Sequence, residues 1–348
     1  MQLGITENLP TLVAKRFNAA KDAGHLIFSP THLAILRTGG VPYQLRYCPA
    51  LANKPTGKAK PDEARPAKRF DPFENPSPEL LIAHIPKENP THFLVLNKFP
   101  VIPNHFILAT TDWHEQTDIL EKEDLAAAYA CVKAWKDQAQ TDSTGPRRLF
   151  AFFNSGEESG ASQPHRHLQF LPVEAMSQDD ESGTWRPFID NTSSSKSGSS
   201  SESEFQRVTE IPMANFALHL PADPSAERLH SIYISLYKAA AVAAGVPRNQ
   251  AQSTSGPAVI SYNLAMTETT MMICPRRSTN AVVSVDDATR EDVAGAGVVE
   301  LNGTILAGTL MVKAEAEWDE LRRAPNSLMN VLEAIGYPHP DLREVSLL

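Results

Sequence analysis

Apolar residues repeat along this chain with two alternating periods. Leu9, Leu12, Val13, Phe17 and Ala20 recur three and four apart before Gly24, which predicts an amphipathic helix over about 8–23. Between Val41 and Pro49 the period drops to two, with Tyr43, Leu45 and Tyr47 on one side of a strand. The runs Leu80–Ile85 and His92–Thr110 are apolar, β-branched and punctuated by proline, and predict adjacent antiparallel strands. Glu121–Gln138 is the clearest helix, with Leu125, Tyr129, Val132 and Trp135 on one stripe and acidic residues in the first turn. Arg148–Asn154 reads as a buried strand, and Ser155–Gln163 as a loop of small residues. Further on, Leu229, Ile232, Tyr233, Leu236 and Ala240 predict a helix ending near Gly245. A hairpin turning at Thr267–Thr269 and a short helix from Asn326 to Ile335, stopped by Gly336 and Pro338, complete the pattern.

The stretch Gln163-Pro-His-Arg-His-Leu-Gln-Phe170 alternates polar and apolar residues. Extended, it turns His165, His167 and Gln169 to one face and Leu168 and Phe170 to the other. Two imidazoles and an amide then follow a loop whose bare amides suit an anion. A neutral imidazole is a good nucleophile toward phosphorus and splits one hard displacement into two easier ones. A His-x-His on a strand is equally a fragment of a metal site or a polar strand face. The small-residue loop before it favours phosphate chemistry.

Composition narrows the class. Of 348 residues, 42% are hydrophobic and 21% charged, ordinary for a globular enzyme. The formal net charge of −9 argues against a general nucleic-acid binder but not against a nucleotide substrate. Cys48, Cys131 and Cys274 are far apart and form no Cys-x-x-Cys, so neither a disulfide framework nor a cysteine-rich zinc site is expected. No apolar run reaches transmembrane length and no charged-then-apolar leader pattern opens the chain. The expectation is a soluble protein with no membrane partner, in the cytoplasm, with the nucleus left open.

Two polar stretches interrupt the pattern. Asn53–Arg69 mixes prolines with charges of both signs and reads as a surface loop. Asn191–Glu204 has eight serines in fourteen residues, too few apolar groups to offset the entropy of ordering, and is expected to be a disordered insertion. His84, His92, His105 and His114 have no spacing that suits a metal and read as satisfied or solvated histidines.

Asn154-Ser-Gly followed by Ser159-Gly-Ala-Ser-Gln-Pro-His-Arg-His-Leu-Gln169 resembles the active-site run of the histidine-triad superfamily, in particular its diadenosine tetraphosphate phosphorylases, or ATP adenylyltransferases. Transferases of that superfamily carry Gln where hydrolases carry a third His. An amide donates hydrogen bonds but relays no proton to water. The resemblance implies an α+β fold of two histidine-triad-like lobes, one active and one degenerate. Residues 1–175 would hold the active strand and anion loop, 176–205 the serine-rich insertion, and 206–348 the part completing the nucleotide site. It implies phosphorolysis of diadenosine tetraphosphate to ATP and ADP through AMP on His167, with ADP/sulfate exchange as a side activity. His167 and Gln169 are the catalytic pair. His165 is a positioning residue, although the sequence leaves open which of the two imidazoles attacks.

Substrate contacts implied by the resemblance are Lys54, Asn97, Lys98, Asn154, Gly160, Ala161, Ser162, Gln163, Asn302, Gly303, Thr304, Thr309 and Lys313. Thr309 departs from the family, which often has Met there. No protein-held metal or covalently bound cofactor is implied, only a divalent cation accompanying the polyphosphate. The partners are nucleotides and phosphate, and the chain is expected to act as a monomer. Two alternatives stay open: another nucleotidyltransferase, such as a sugar-1-phosphate uridylyltransferase, and a catalytically silent nucleotide-binding regulator.

Overall fold

The amino-terminal stripe forms α1 (Leu9–Asp22), started by Asn8, whose side chain accepts from the Thr11 amide at 2.9 Å. In this computed structural model the described residues are 3–53, 70–136, 147–178, 180, 183–192, 205–284 and 295–340. Lys54 and the serine-rich stretch 193–204 lie outside them. After α1 come β1 (His32–Thr38), β2 (Val41–Tyr47), β3 (Leu81–Ile85), β4 (His92–Leu96), β5 (Phe106–Thr110), α2 (Lys122–Lys136), β6 (Leu149–Ser155), β7 (His167–Pro172) and α3 (Val173–Ser177). The second half supplies β8 (Phe216–His219), α4 (Ala226–Ala243), β9 (Ser261–Met266), β10 (Thr270–Arg276), β11 (Asn280–Val283), β12 (Gly297–Glu300), β13 (Thr309–Val312), α5 (Glu315–Arg323) and α6 (Ser327–Ile335).

Eight strands make one antiparallel sheet in the order β3-β4-β5-β7-β6-β9-β10-β8. Two lobes share it. In the first, α2 runs between β5 and β6 and the strands lie β5-β7-β6. In the second, α4 runs between β8 and β9 and the strands lie β8-β10-β9. They meet where β6 pairs β9, with Phe153 opposite Leu264. One is the reversed copy of the other in strand order, so β10 is the counterpart of β7.

Helices α1, α2 and α4 cover one face of the sheet and bury Leu168, Phe170, Phe153, Leu264 and Ile273. On the other face Phe152, Leu171, Met272 and Cys274 pack against Trp185, Phe188, Leu310 and Leu332. Burying a large apolar side chain stabilises by about 1.5–3 kcal/mol. A one-residue slip of β7 would expose Leu168 and Phe170 to the polar site and lose roughly 3–6 kcal/mol. The core therefore fixes which way His167 and Gln169 point.

A second sheet, β1-β2-β13, joins the two ends of the chain. β2 pairs β1 antiparallel and β13 parallel, with Thr309 opposite Gln44. Hairpin β11–β12 stands apart from both sheets. No helix of the described residues is long and apolar enough to cross a membrane.

The strand that carries His167 is shorter than its alternation suggests. It begins at His167, and His165 makes only an isolated bridge to Glu115. The reason is local: residues 164–166 pair with the segment before α2, the Gln116 amide donating to Pro164 O at 2.7 Å and the Arg166 amide to His114 O at 2.8 Å.

Candidate active site

The ladder between β6 and β7 stops at the pair Phe152–Gln169. Two register steps further on Asn154 would face His167, and the side-chain amide of Gln116 takes the place of their mutual hydrogen bonds. Its Nε2 donates to Asn154 O (2.8 Å) and His167 O (3.2 Å), and its Oε1 accepts from the His167 amide (2.7 Å). The strands are thus held apart where the loop Gly156–Gln163 leaves the sheet, and His167 is fixed at the gap.

The His167 ring is 2% exposed. Its Nδ1–H donates to the carbonyl of His165 at 2.8 Å, so the lone pair resides on Nε2. Burial, with a smaller contribution from nearby His165, pushes its pKa down to about 4 against the carbonyl hydrogen bond and Asp71, which pull it up. The imidazole is therefore neutral throughout the physiological range. The Phe73 ring packs against both imidazoles, tilted at 5.1 Å from His167 and edge-on at 5.7 Å from His165 between centroids.

Gln169 is oriented by a one-way chain of hydrogen bonds. The Phe99 amide donates to Asn97 Oδ1 (2.9 Å), Asn97 Nδ2 meets His105 Nδ1 (3.0 Å), and His105 Nε2 meets Gln169 Oε1 (3.1 Å). With the acceptor end of Gln169 engaged, its Nε2 donors remain for a ligand beside His167. His105 had read as a satisfied or solvated histidine. It is instead the group that sets the Gln169 amide, 7% exposed and placed one residue before β5. His92 is satisfied, its Nε2 on Asp124 at 2.9 Å. Asp124 also takes Arg166, behind the catalytic strand, at 2.9 Å. Burial opposes the Asp124 carboxylate, but the His92 hydrogen bond and the Arg166 charge hold its pKa below the usual range.

Asn154 anchors the other side. Its Oδ1 accepts from Asn263 Nδ2 and from the Gly303 amide, each at 2.9 Å. A Cβ on Gly303 would sit 2.8 Å from that oxygen, so the approach requires glycine. Gly160, at φ +80°, lies against Leu301 and Asn302, where a Cβ would come within 2.9 Å of Leu301 O. Among the described residues the amides of Gly160, Ala161, Ser162 and Gln163 have no protein acceptor. Asn302 caps the following turn, accepting from the Thr304 amide at 3.0 Å, and the Thr304 hydroxyl lies 2.9 Å from Thr309 O. Thr309 is fully buried and donates its hydroxyl to Gln44 Oε1 at 3.2 Å. Lys98 is exposed with its ammonium 5.7 Å over the Phe99 ring, and Lys313 pairs with Glu300 near the surface. The structure thus links Gln169 to Asn97 through His105, ties His167 to Asn154 through Gln116, and places Gly160, Asn302, Gly303, Thr304 and Thr309 on or against the turn that meets Asn154. Lys98 and Lys313 stay outside these links.

Asn263 and Arg276, from the second lobe, have no local motif to announce them. Arg276 is 2% exposed, donates to Asn263 Oδ1 (2.5 Å), and through Nη2 reaches Ser278 O (2.9 Å) and Leu301 O (3.0 Å). Burial pushes its pKa down to about 10, still a cation at neutral pH.

A two-lobed antiparallel sheet with a neutral strand histidine, a donor amide two residues on and an open small-residue loop defines a nucleotidyltransferase of the histidine-triad kind. Residues 3–184 match the Ap4A phosphorylase N-terminal domain and residues 209–338 the ATP adenylyltransferase C-terminal domain. The chain belongs to the Ap4A phosphorylase family. It is 27% identical over 342 residues to diadenosine 5',5'''-P1,P4-tetraphosphate phosphorylase 2 of Saccharomyces cerevisiae, covering 96% of each chain. It is 26% identical to Protein APA1 of the same yeast, covering 97% of each. The crystal structure of yeast Ap4A phosphorylase Apa2 superposes with a TM-score of 0.76 at 25% identity, covering 97% of this chain and 99% of that one. The yeast enzyme in complex with Ap4A has the same fold, at a TM-score of 0.73 and 24% identity.

Proposed function

We propose that this nucleotidyltransferase cleaves diadenosine tetraphosphate with phosphate to give ATP and ADP by a double displacement on His167. The observation that carries the reading is the His167 ring itself, buried, neutral, and committed through Nδ1–H to the His165 carbonyl. Its Nε2 lone pair attacks the α-phosphorus of one adenylate. The new N–P bond replaces the P–O bond to the β-phosphate, and ATP leaves. An oxygen of inorganic phosphate then attacks the same phosphorus, the N–P bond breaks, and ADP leaves with the imidazole neutral again.

Hydrogen bonds aimed at charge that develops in the transition state act on rate more than on binding. The free donors of Gln169 serve that purpose, and the amides of Gly160–Gln163 with Lys54 and Lys98 hold the polyphosphate. Asn97 reaches the nucleotide with what its bond to His105 leaves free. Asn154, Asn302, Gly303 and Thr304 shape the nucleoside side, Thr309 braces that turn, and Lys313 must leave Glu300 to meet a phosphate. We further assign the protein to the cytoplasm as a monomer, which light scattering at micromolar concentration checks.

The test withholds phosphate. Incubation with diadenosine tetraphosphate should release one ATP per chain and leave an acid-labile AMP on the peptide holding His167, seen by mass spectrometry. Subsequent phosphate should discharge it as ADP. Rapid turnover without any trapped adduct, in a protein that consumes phosphate normally, would sink the covalent route.

A further inference from the structure

His165 is the second imidazole of the motif, and its surroundings fix where its protons are. Nδ1 lies 2.7 Å from Asp71 Oδ2. Nε2 lies 3.0 Å from the Thr110 hydroxyl and 3.0 Å from the Thr110 carbonyl. The single hydroxyl proton of Thr110 points to Asp112 O at 2.8 Å, so its oxygen faces His165 as an acceptor. Both ring nitrogens therefore face only acceptors. A neutral ring would need Thr110 to turn its proton onto Nε2. That would leave two acceptor–acceptor contacts, Thr110 O with Nε2 at 3.0 Å and Thr110 Oγ1 with Asp112 O at 2.8 Å, in a site 1% exposed. The other oxygen of Asp71 accepts from the Phe73 amide at 2.9 Å. Between an imidazole and a carboxylate the imidazole is the stronger base, so the shared proton belongs on the ring.

We propose that His165 is the doubly protonated member of a buried imidazolium–carboxylate pair with Asp71, and that this pair positions His167 for adenylyl transfer; the second half rests on His167 being the nucleophile. Two links connect the pair to His167. The His165 carbonyl holds His167 Nδ1–H, so anchoring the His165 side chain from both ends also anchors that acceptor. The segment carrying Asp71 also carries Phe73, which packs against both rings, so one turn of chain sets the charge and the cover together. A cation two residues away opposes protonation of His167 and keeps its lone pair available.

The other charged and titratable groups around the two rings are few. Arg166 lies on the opposite face of the sheet with Asp124, 3.8 Å from Asp118 and 3.7 Å from Glu121. Glu115 opposes His165 in the isolated bridge and accepts from Trp113 Nε1 at 3.1 Å, with the Trp113 ring 5.2 Å from that of His165. His114 reaches Glu121 at 3.8 Å, His92 pairs with Asp124, and His105 faces Gln169.

The experiment uses the full chain with 15N-labelled histidine, read by proton–nitrogen correlation of the imidazoles at pH 7.5, with His165→Gln to assign the signals. Both nitrogens of His165 are expected at protonated shifts, while His167 shows one protonated and one bare nitrogen. A bare nitrogen on His165 overturns the proposal. Asp71→Asn then tests positioning. We expect kcat for phosphorolysis to fall by roughly 10–100-fold with KM within about twofold, the acid limb of kcat/KM to move to higher pH, and Asp71→Glu to recover part of the loss. A folded Asp71→Asn enzyme with unchanged kcat and acid limb overturns the positioning role. If that variant fails to fold, the parent spectra still decide the protonation. A wrong nucleophile shows differently: AMP is absent from His167 while His165 remains doubly protonated.

Discussion

β7 and β10 hold the same place in the two lobes and have opposite chemistry. On the face turned away from α1, α2 and α4, β7 carries His167 and Gln169, whereas β10 carries Met272 and Cys274. Burial pushes the two side chains in opposite functional directions. It lowers the His167 pKa to about 4 and leaves a free lone pair, while it raises the Cys274 thiol to about 12 and leaves an inert S–H. The approach differs too. β7 follows the long loop from Gly156 to Arg166, whereas β10 follows β9 through a tight three-residue turn at Thr267–Thr269. The second lobe serves the first through its far end: Asn263 and Arg276 grip Asn154, Ser159 and Leu301, and so press Gly303 onto the catalytic side. A duplicated sheet thus kept its frame and divided the work between reaction and support.

The largest effect that would break this comparison is on turnover. His167→Ala should lower phosphorolysis by roughly 10³-fold or more, whereas Met272→Leu on the counterpart strand should stay within about twofold of the parent. Steady-state rates measured by nucleotide chromatography decide it, and comparable losses for both would end the assignment of one active lobe.

Next comes the support function. Arg276→Met keeps volume but strands the buried acceptors of Asn263 and Leu301, and hydrogen bonds to a charged donor contribute about 1.5–3 kcal/mol each. Unfolding in urea should show a loss of about 3 kcal/mol, accompanied by a raised KM for the dinucleotide. A loss of stability at constant KM would mean that the second lobe braces the fold but not the site.

A third effect, confined to acid pH, sharpens the contrast. Because folding lowers the His167 pKa from 6.5 to about 4, the unfolded chain binds more protons between those values. Stability from this group is therefore present above pH 6.5 and lost as pH falls toward 4, by about 3 kcal/mol. His167→Asn should be flatter than the parent by that amount over the same window, and Cys274→Ala should not. Parallel curves for parent and His167→Asn would show that the imidazole titrates freely.

Periodicity alone carried much of this layout. The stripe Leu125, Tyr129, Val132 and Trp135 is the buried side of α2, and the alternation after Pro164 sorts Leu168 and Phe170 into the core away from Gln169. α5 was not legible, since Trp318 and Leu321 are the only large apolar residues in a charged segment. The groups that tune the site were illegible for a different reason. Asp71, His105, Gln116 and Arg276 act from 94, 64, 51 and 13 residues away from the atoms they hold, and no local pattern encodes such meetings. A buried amide in the Gln116 position is recognisable only when the ladder it replaces is seen to end.

The parallel pairing of β13 with β2 also bears on how the enzyme comes into being. Thr309 binds Gln44 across 265 residues of sequence, and Gly303 reaches Asn154 across 149. A ribosome finishes the His167 strand long before it makes Gly303, which closes the clasp around Asn154. Contacts this distant in sequence form late and slow folding. The nascent chain therefore carries His167 long before the pocket beside it can close, and that closure waits on the segment holding Gly303 and Thr309.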